Sequence, residues 1–183
     1  MKPKDEDKQQ AIAEATFRLV EAAGLSGLTM AAIAREAGIA TGTLYIYYRS
    51  KEELLGALYQ QAKSATIAQV MQGHDPSAPL RTRFQRFWLN LVRHRIARYP
   101  EAVFQEQFYN SPWFGEAERQ LSLRFVADWH AMYEEGKAQL ILKALPTPLL
   151  VASFMGSVRE TANLVRSGEL PESDTTFDQA FTI

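Results

Sequence analysis

The sequence predicts an all-α fold, on three observations. No stretch of useful length alternates apolar and polar residues as a half-buried strand does. Glycine and proline fall at intervals, and the segments between them place their apolar residues with helical period. Start and stop signals for helices stand at the ends of those segments. With 46% apolar and 22% charged residues over 183 positions, the chain has enough material for a sizeable core and is too apolar to be disordered.

Each element has its own justification. In Asp7 to Ala23, residues Ile12, Ala15, Leu19, Val20 and Ala23 share one helical face, and Gly24 follows as a terminator. Thr29 is an N-cap for a short helix from Met30 to Ala37, stopped by Gly38. A second short helix starts near Thr41. Ser50 to Glu53 reads SKEE, a capping box that opens a long helix to about Gln72. The clearest break is GHDPSAP at Gly73 to Pro79, and a domain boundary is expected near it. Beyond it, helices are predicted from Leu80 to about Tyr99, from Glu101 to about Asn110, and from Trp113 to about Leu145 with a break near Gly136. Thr147-Pro148 reads as an N-cap followed by proline at the first helical position, with the helix running to about Arg166 and ended by Gly168. Ser173 to Ile183 starts one more helix whose pattern is incomplete, so the expectation is that the sequence stops inside it.

Composition narrows the functions. The sequence contains no cysteine, which removes disulfides, zinc fingers and thiol catalysis. His74, His94 and His130 stand far apart with no metal-ligand spacing. There is no nucleophile elbow, and Gly38-x-x-x-Gly42 lacks the preceding strand that a nucleotide loop needs. No catalytic site and no cofactor is expected. No apolar run is long enough to span a bilayer and the polar N-terminus lacks a signal-peptide core, so a cytoplasmic protein is expected. The net charge of −1 gives no global hint of nucleic-acid binding, so any such function must come from local arrangement.

That arrangement is found at GIATGTLYIYYRSKEELL, Gly38 to Leu55. Two short helices around a turn that begins at Gly38 have the layout of a helix-turn-helix. Ile33, Ala34, Ala37, Ile39 and Leu44 are spaced to pack on the first helix through Phe17 and Leu19. Thr41, Thr43, Tyr45, Tyr47 and Lys51 are left to face outward, and Gly42 lets the backbone approach a ligand closely. Hydroxyls and a lysine suit phosphate oxygens, while threonine methyls and tyrosine rings suit thymine methyls and sugars. The backbone at Thr29 offers N–H groups to a phosphate. Residues 1 to 55 hold seven Lys/Arg and eight Asp/Glu, with Lys4, Lys8, Arg35, Arg49 and Lys51 as the charge contributors. A neutral head predicts few phosphate contacts and a modest salt dependence.

The stretch LTMAAIAREAGIATGTLYIYYRSKEELL resembles the N-terminal domain of the tetracycline-repressor (TetR) family of transcriptional regulators. The resemblance rests on Thr29, Ile33-Ala34, Ala37-Gly38, Gly42-Thr43-Leu44-Tyr45, Tyr47-Tyr48, Ser50-Lys51-Glu52 and Leu54-Leu55, in order and without a gap. It departs at Tyr48, where the family more often has phenylalanine; Tyr48 is expected in the core with its hydroxyl at the rim. The resemblance implies a DNA-binding domain at 1-55, its helix-turn-helix at about 30-49, and a helical effector-binding and dimerisation domain at 56-183. It implies a homodimer on a palindromic double-stranded operator, repression, and release of DNA by a small-molecule effector. Thr29, Arg35, Thr41, Gly42, Thr43, Tyr45, Tyr47 and Lys51 are the DNA-binding candidates, with Lys51 on the family's phosphate-contacting lysine.

The rest of the chain is rich in rings. Phe84, Trp88, Leu91, Arg95, Phe104, Phe108, Trp113 and Trp129 are candidates to line an effector pocket, alongside Phe87, Phe125 and Tyr133. The predicted helix from Leu80 carries six arginines and no acid. Arg83, Arg86 and Arg93 lie opposite its apolar face and are expected to be solvated. Arg95 and Arg98 fall on the apolar side, where they either hold an anionic group on an apolar or aromatic effector or simply favour the helix C-terminus. Small residues Ala152, Ser153, Gly156 and Ser157 permit close helix approach and, with Phe177, are the expected dimer contact. The rival reading is a dimeric helical scaffold that has lost DNA binding.

Overall fold

The computed structural model describes residues 3–182, without the side chains of residues 3, 4 and 124–128, so the side chains of Lys4 and Phe125, and all of Ile183, lie outside what is described. Among the described residues there are nine helices: α1 (Pro3–Ala23), α2 (Met30–Glu36), α3 (Thr41–Tyr47), α4 (Lys51–Val70), α5 (Leu80–Ala97), α6 (Tyr99–Tyr109), α7 (Glu116–Ala138), α8 (Thr147–Arg166) and α9 (Asp174–Thr182). They form two compact units. The first holds the chain up to Ser64 together with Tyr99–Leu121, and the second holds Ala65–Arg98 and the chain from Ser122 onward.

In the first unit α1 packs on α6 and α2, and α2 on α3. Its core gathers Ile12, Phe17 and Val20 of α1, Ile33 and Ala34 of α2, Leu44 of α3, Leu54, Leu55, Leu58 and Tyr59 of α4, and Phe104 and Phe108 of α6. Phe17 meets Phe104 with ring centroids 5.0 Å apart, and Tyr59 meets Phe108 at the same distance. The linear split expected at residue 55 therefore differs from these units, because α6 returns to complete the first core. Aromatic residues at i and i+4 reveal a buried stripe but not which core it enters.

The second unit is held by α5 against α8, with α9 packed on both. Half of its buried core is rings: Phe84, Phe87 and Trp88 of α5, Trp129 and Tyr133 of α7, and Phe177 of α9, with Val70, Leu80, Leu91, Val92, Met132 and Val158 filling between them. Phe84 meets Tyr133 edge-on at 5.1 Å, and Trp129 meets Phe154 at 5.3 Å.

Three expectations about local structure need correction. The helix expected to reach about Leu145 ends at Ala138, two residues past Gly136, where the break was expected. A Cβ at Gly136 would lie 2.7 Å from the Leu142 Cδ1, so glycine is there to let the returning chain pack on the helix. The Gly136 carbonyl accepts the N–H groups of Ile141 and Leu142, and Leu140 sits between at φ 57, where the chain reverses. Thr147 is not the N-cap of α8 but its first residue; its hydroxyl accepts from the Lys137 Nζ at 2.9 Å and donates to the Glu134 carboxylate at 2.6 Å, tying α8 to α7. Arg83 is not solvated: its side chain is 12% exposed and pairs with Glu135 at 2.7 Å. Arg93 pairs with Asp174 at 2.8 Å and Arg86 donates to the Gly73 carbonyl, so each of the three arginines has a protein acceptor.

Candidate nucleic-acid interface

The head is set by its caps. The Thr29 hydroxyl accepts from the Ala32 N–H at 3.1 Å, fixing the start of α2. Gly38 takes φ +68 and turns the chain, with the Gly38 N–H on the Arg35 carbonyl and the Ile39 N–H on the Ala34 carbonyl. At α4 the Ser50 hydroxyl accepts from the Glu53 N–H at 3.2 Å. The Glu53 carboxylate reaches one residue further back than a capping box requires and accepts from the Arg49 N–H at 2.8 Å.

Only Leu44 of α3 is buried, and the rest of this seven-residue helix lies at or near the surface. Thr41 and Gly42 are exposed, and a Cβ on Gly42 would meet nothing within 4 Å. Tyr45 is 50% exposed and Ile46 81% exposed. Ile46 is absent from the sequence candidates. Its place beside Tyr45, on the side of α3 away from Leu44, was the available signal. Arg35 is exposed on α2.

Thr43, Tyr47 and Lys51 are half-buried rather than fully outward, which corrects the expectation. The Tyr47 hydroxyl donates to the Asp5 carboxylate of α1 at 3.0 Å. Desolvation first, and then that carboxylate, hold the Tyr47 phenol above its ordinary range, so it stays a donor. The Lys51 ammonium donates to the Leu28 carbonyl at 3.0 Å and lies 4.6 Å from the centroid of the Trp113 ring. Tyr48 packs at the edge of the first core, as expected. Its phenol too is raised, by burial and then by Glu53.

The eight residues expected around an effector do not lie in one core. Phe104 and Phe108 are fully buried in the first core, and Trp113 packs against it. Phe84, Trp88, Leu91 and Trp129 belong to the second. Arg95 is half-buried on α5, and its charge is one of the influences that lower the Glu160 carboxyl, after the hydrogen bond from Arg159. An open surface groove of about 410 Å³ is lined by Gln72, Gly73, Thr82, Gln85, Arg86, Leu89, Asn90 and Arg93, none of which was an expected pocket residue. The dimer candidates also divide. Ala152 and Ser153 are exposed and Gly156 faces open space. Phe177 is buried against Trp88, and Ser157 accepts from the Trp88 indole N–H at 2.8 Å, so both serve the fold of their own chain.

Among the described residues no helix is long and apolar enough to cross a membrane, and no group of three or more acidic or histidine side chains is placed to hold a metal ion.

Comparison with known proteins agrees with this geometry. Residues 12–58 match the family of bacterial regulatory proteins named tetR, and residues 79–181 match the tetracyclin repressor-like C-terminal domain. An uncharacterised HTH-type transcriptional regulator of Haemophilus influenzae is 33% identical over 85 residues, which are 46% of this chain and 46% of that protein. The match thus spans about half the length of that curated relative. The crystal structure of a TetR family transcription regulator from Marinobacter aquaeolei superposes with a TM-score of 0.88 at 27% identity, covering 100% of this chain and 95% of that one. Another, from a Shewanella species, has a TM-score of 0.78 at 24% identity, covering 96% and 94%, and shares the fold. The chain belongs to the tetR family of bacterial regulatory proteins: it is a transcriptional regulator with an N-terminal helix-turn-helix, and not an enzyme.

Proposed function

We propose that the protein is a ligand-responsive repressor that binds a palindromic double-stranded operator as a homodimer. The observation that carries this reading is α3, a helix anchored by one buried leucine with Thr41, Gly42, Tyr45 and Ile46 outside. In a major groove, Tyr45 and Ile46 offer apolar surface to thymine methyls and the threonine hydroxyls reach base edges or phosphates. Lys51 flanks this row as a phosphate donor, with Arg35 on α2 and Thr29 at its N-cap, and Tyr47 joins them when its hydroxyl leaves Asp5 for a phosphate oxygen. Few cations are involved, so the salt dependence per head is modest.

Pairing of two copies is assigned to the outward face of α8, where Leu149, Ala152, Ser153 and Gly156 recur at i, i+3, i+4 and i+7. The small side chains allow close approach, and Leu149, 57% exposed, supplies apolar area. The effector is assigned to the aromatic second core, around Phe84, Trp88, Leu91 and Trp129, and is apolar or aromatic. An anionic group on it would have Arg95 as its partner, in competition with Glu160. A regulator of this kind works in the cytoplasm, where its DNA is.

Selection of binding sites from a random duplex pool at near-physiological salt tests the reading. An enriched inverted repeat, with half-sites about one helical turn apart or more, is the expected result. The double change Tyr47→Ala with Lys51→Ala should then abolish binding while circular dichroism and dimer mass stay unchanged. No enrichment from a folded dimer would leave a helical scaffold as the better account. Binding that survives the double change would refute the contacts assigned to Tyr47 and Lys51.

A further inference from the structure

The Lys51 ammonium is the one charged group of the proposed interface with two separate contacts inside its own unit. It donates to the Leu28 carbonyl at 3.0 Å and stands 4.6 Å from the Trp113 ring centroid. Neither contact carries a negative charge. An ammonium has three N–H donors, so one directed at Leu28 leaves the others for a phosphate, with the neighbouring Glu52 carboxylate, held down in part by Lys51, sharing its field. A carboxylate in place of the Leu28 carbonyl would have cancelled the lysine's charge. A long lysine side chain loses much rotamer freedom when a ligand immobilises it, and a side chain held beforehand has less to lose.

Trp113 is itself fixed by the end of α6. Its N–H donates to the Ser111 hydroxyl oxygen at 3.3 Å, and that hydroxyl donates to the Phe108 carbonyl at 2.7 Å. The next residue, Phe114, lies 5.6 Å from Tyr59 and 4.7 Å from Tyr109 between ring centroids. Along α6, the Gln107 side chain accepts from the Leu25 N–H at 2.8 Å. The segment Tyr99–Leu121 thus joins the first unit while both of its ends continue into chain that belongs to the second.

We propose that Trp113 is a positioning residue for DNA binding: its ring holds the Lys51 ammonium at the first turn of α4, which makes phosphate contact by Lys51 depend on where the α6–α7 connection lies. The proposal rests on the DNA-binding reading above and adds a residue that itself touches no DNA.

The experiment uses full-length protein and a fluorescent duplex carrying the selected inverted repeat, with affinity read by anisotropy. Trp113→Leu should weaken binding by about three- to thirtyfold, since in each of two heads the lysine is no longer held beforehand and must be ordered on binding, and Trp113→Phe should fall between it and the wild type. In a Lys51→Met background, Trp113→Leu should have no further effect. Proton NMR reads the contact without DNA: ring current should move the Lys51 ε-methylene signal upfield in the wild type and not in Trp113→Leu. Unchanged or tighter binding by Trp113→Leu overturns the proposal. So does an equal loss in the Lys51→Met background, which would mark a merely structural tryptophan, or an unshifted Lys51 signal. If the wild type binds no duplex, the DNA-binding reading fails and takes the proposal with it; an unshifted Lys51 signal with intact wild-type binding sinks the proposal alone.

Discussion

The two cores draw on similar residues and close differently. In the first, aliphatic side chains of α1, α2, α3 and α4 meet around a few rings, and the buried Thr16 hydroxyl is satisfied by the Ile12 carbonyl at 2.8 Å. In the second, rings make up half of the buried core, and the Tyr133 hydroxyl and the Arg83 Nε are buried with no hydrogen-bond partner among the described residues. A buried polar atom without a partner costs free energy, so the second core carries a cost that the Thr16 site of the first avoids. The difference teaches where each unit is specified. The head is fixed by single positions that act locally, and the body by a cluster of rings, one of which carries an orphaned hydroxyl.

The largest expected effect breaks the head at its single anchor. Leu44→Ala should cost about 2–5 kcal/mol of stability in denaturant unfolding, because Leu44 is fully buried and no other residue of α3 is. A cost below about 1 kcal/mol would mean that other contacts hold α3 in place. The corresponding strike at the body is Gly136→Val, which puts a branched side chain where Leu142 and Leu80 already press on the α7 backbone. It should cost about 1–3 kcal/mol by overpacking, measured the same way. An unchanged midpoint would mean that the segment after α7 yields freely.

The smallest effect has the opposite sign and sharpens the comparison most. Tyr133→Phe removes the orphaned hydroxyl and should stabilise the protein by about 1 kcal/mol at neutral pH. Burial holds the Tyr133 phenol well above its ordinary range. Its folded value lies above the unfolded value near 10, so its contribution is complete below about pH 10 and is lost as the pH rises further. The advantage of Tyr133→Phe over the wild type should therefore widen between about pH 9 and 11. A loss of stability at neutral pH would show that the hydroxyl has a partner in solution.

Much of the head is legible in its sequence because its signals are local. Thr29, Gly38 and Ser50 each act within a few residues of themselves, and Leu44 is one of only two large aliphatic residues on a short helix. The half-burial of Lys51 was not legible, since its carbonyl and its ring come from Leu28 and Trp113, distant along the chain. Nor was the assignment of rings to cores. Phe104 and Phe177 look alike in sequence, yet one completes the head and the other closes the body. Thr147-Pro148 carries a cap signature, but a lysine and a glutamate of the preceding helix compete for the same hydroxyl and take it.

The return of α6 to the first core limits modularity. The family match for the head ends at residue 58, and a graft cut there would carry Phe17 without Phe104, the ring packed against it, and would lose Tyr59 as well. Such a chimera inherits an uncovered aromatic scar, and exposed apolar patches of that kind invite aggregation. Moving these reading heads to another scaffold requires the recipient to supply its own substitute for α6.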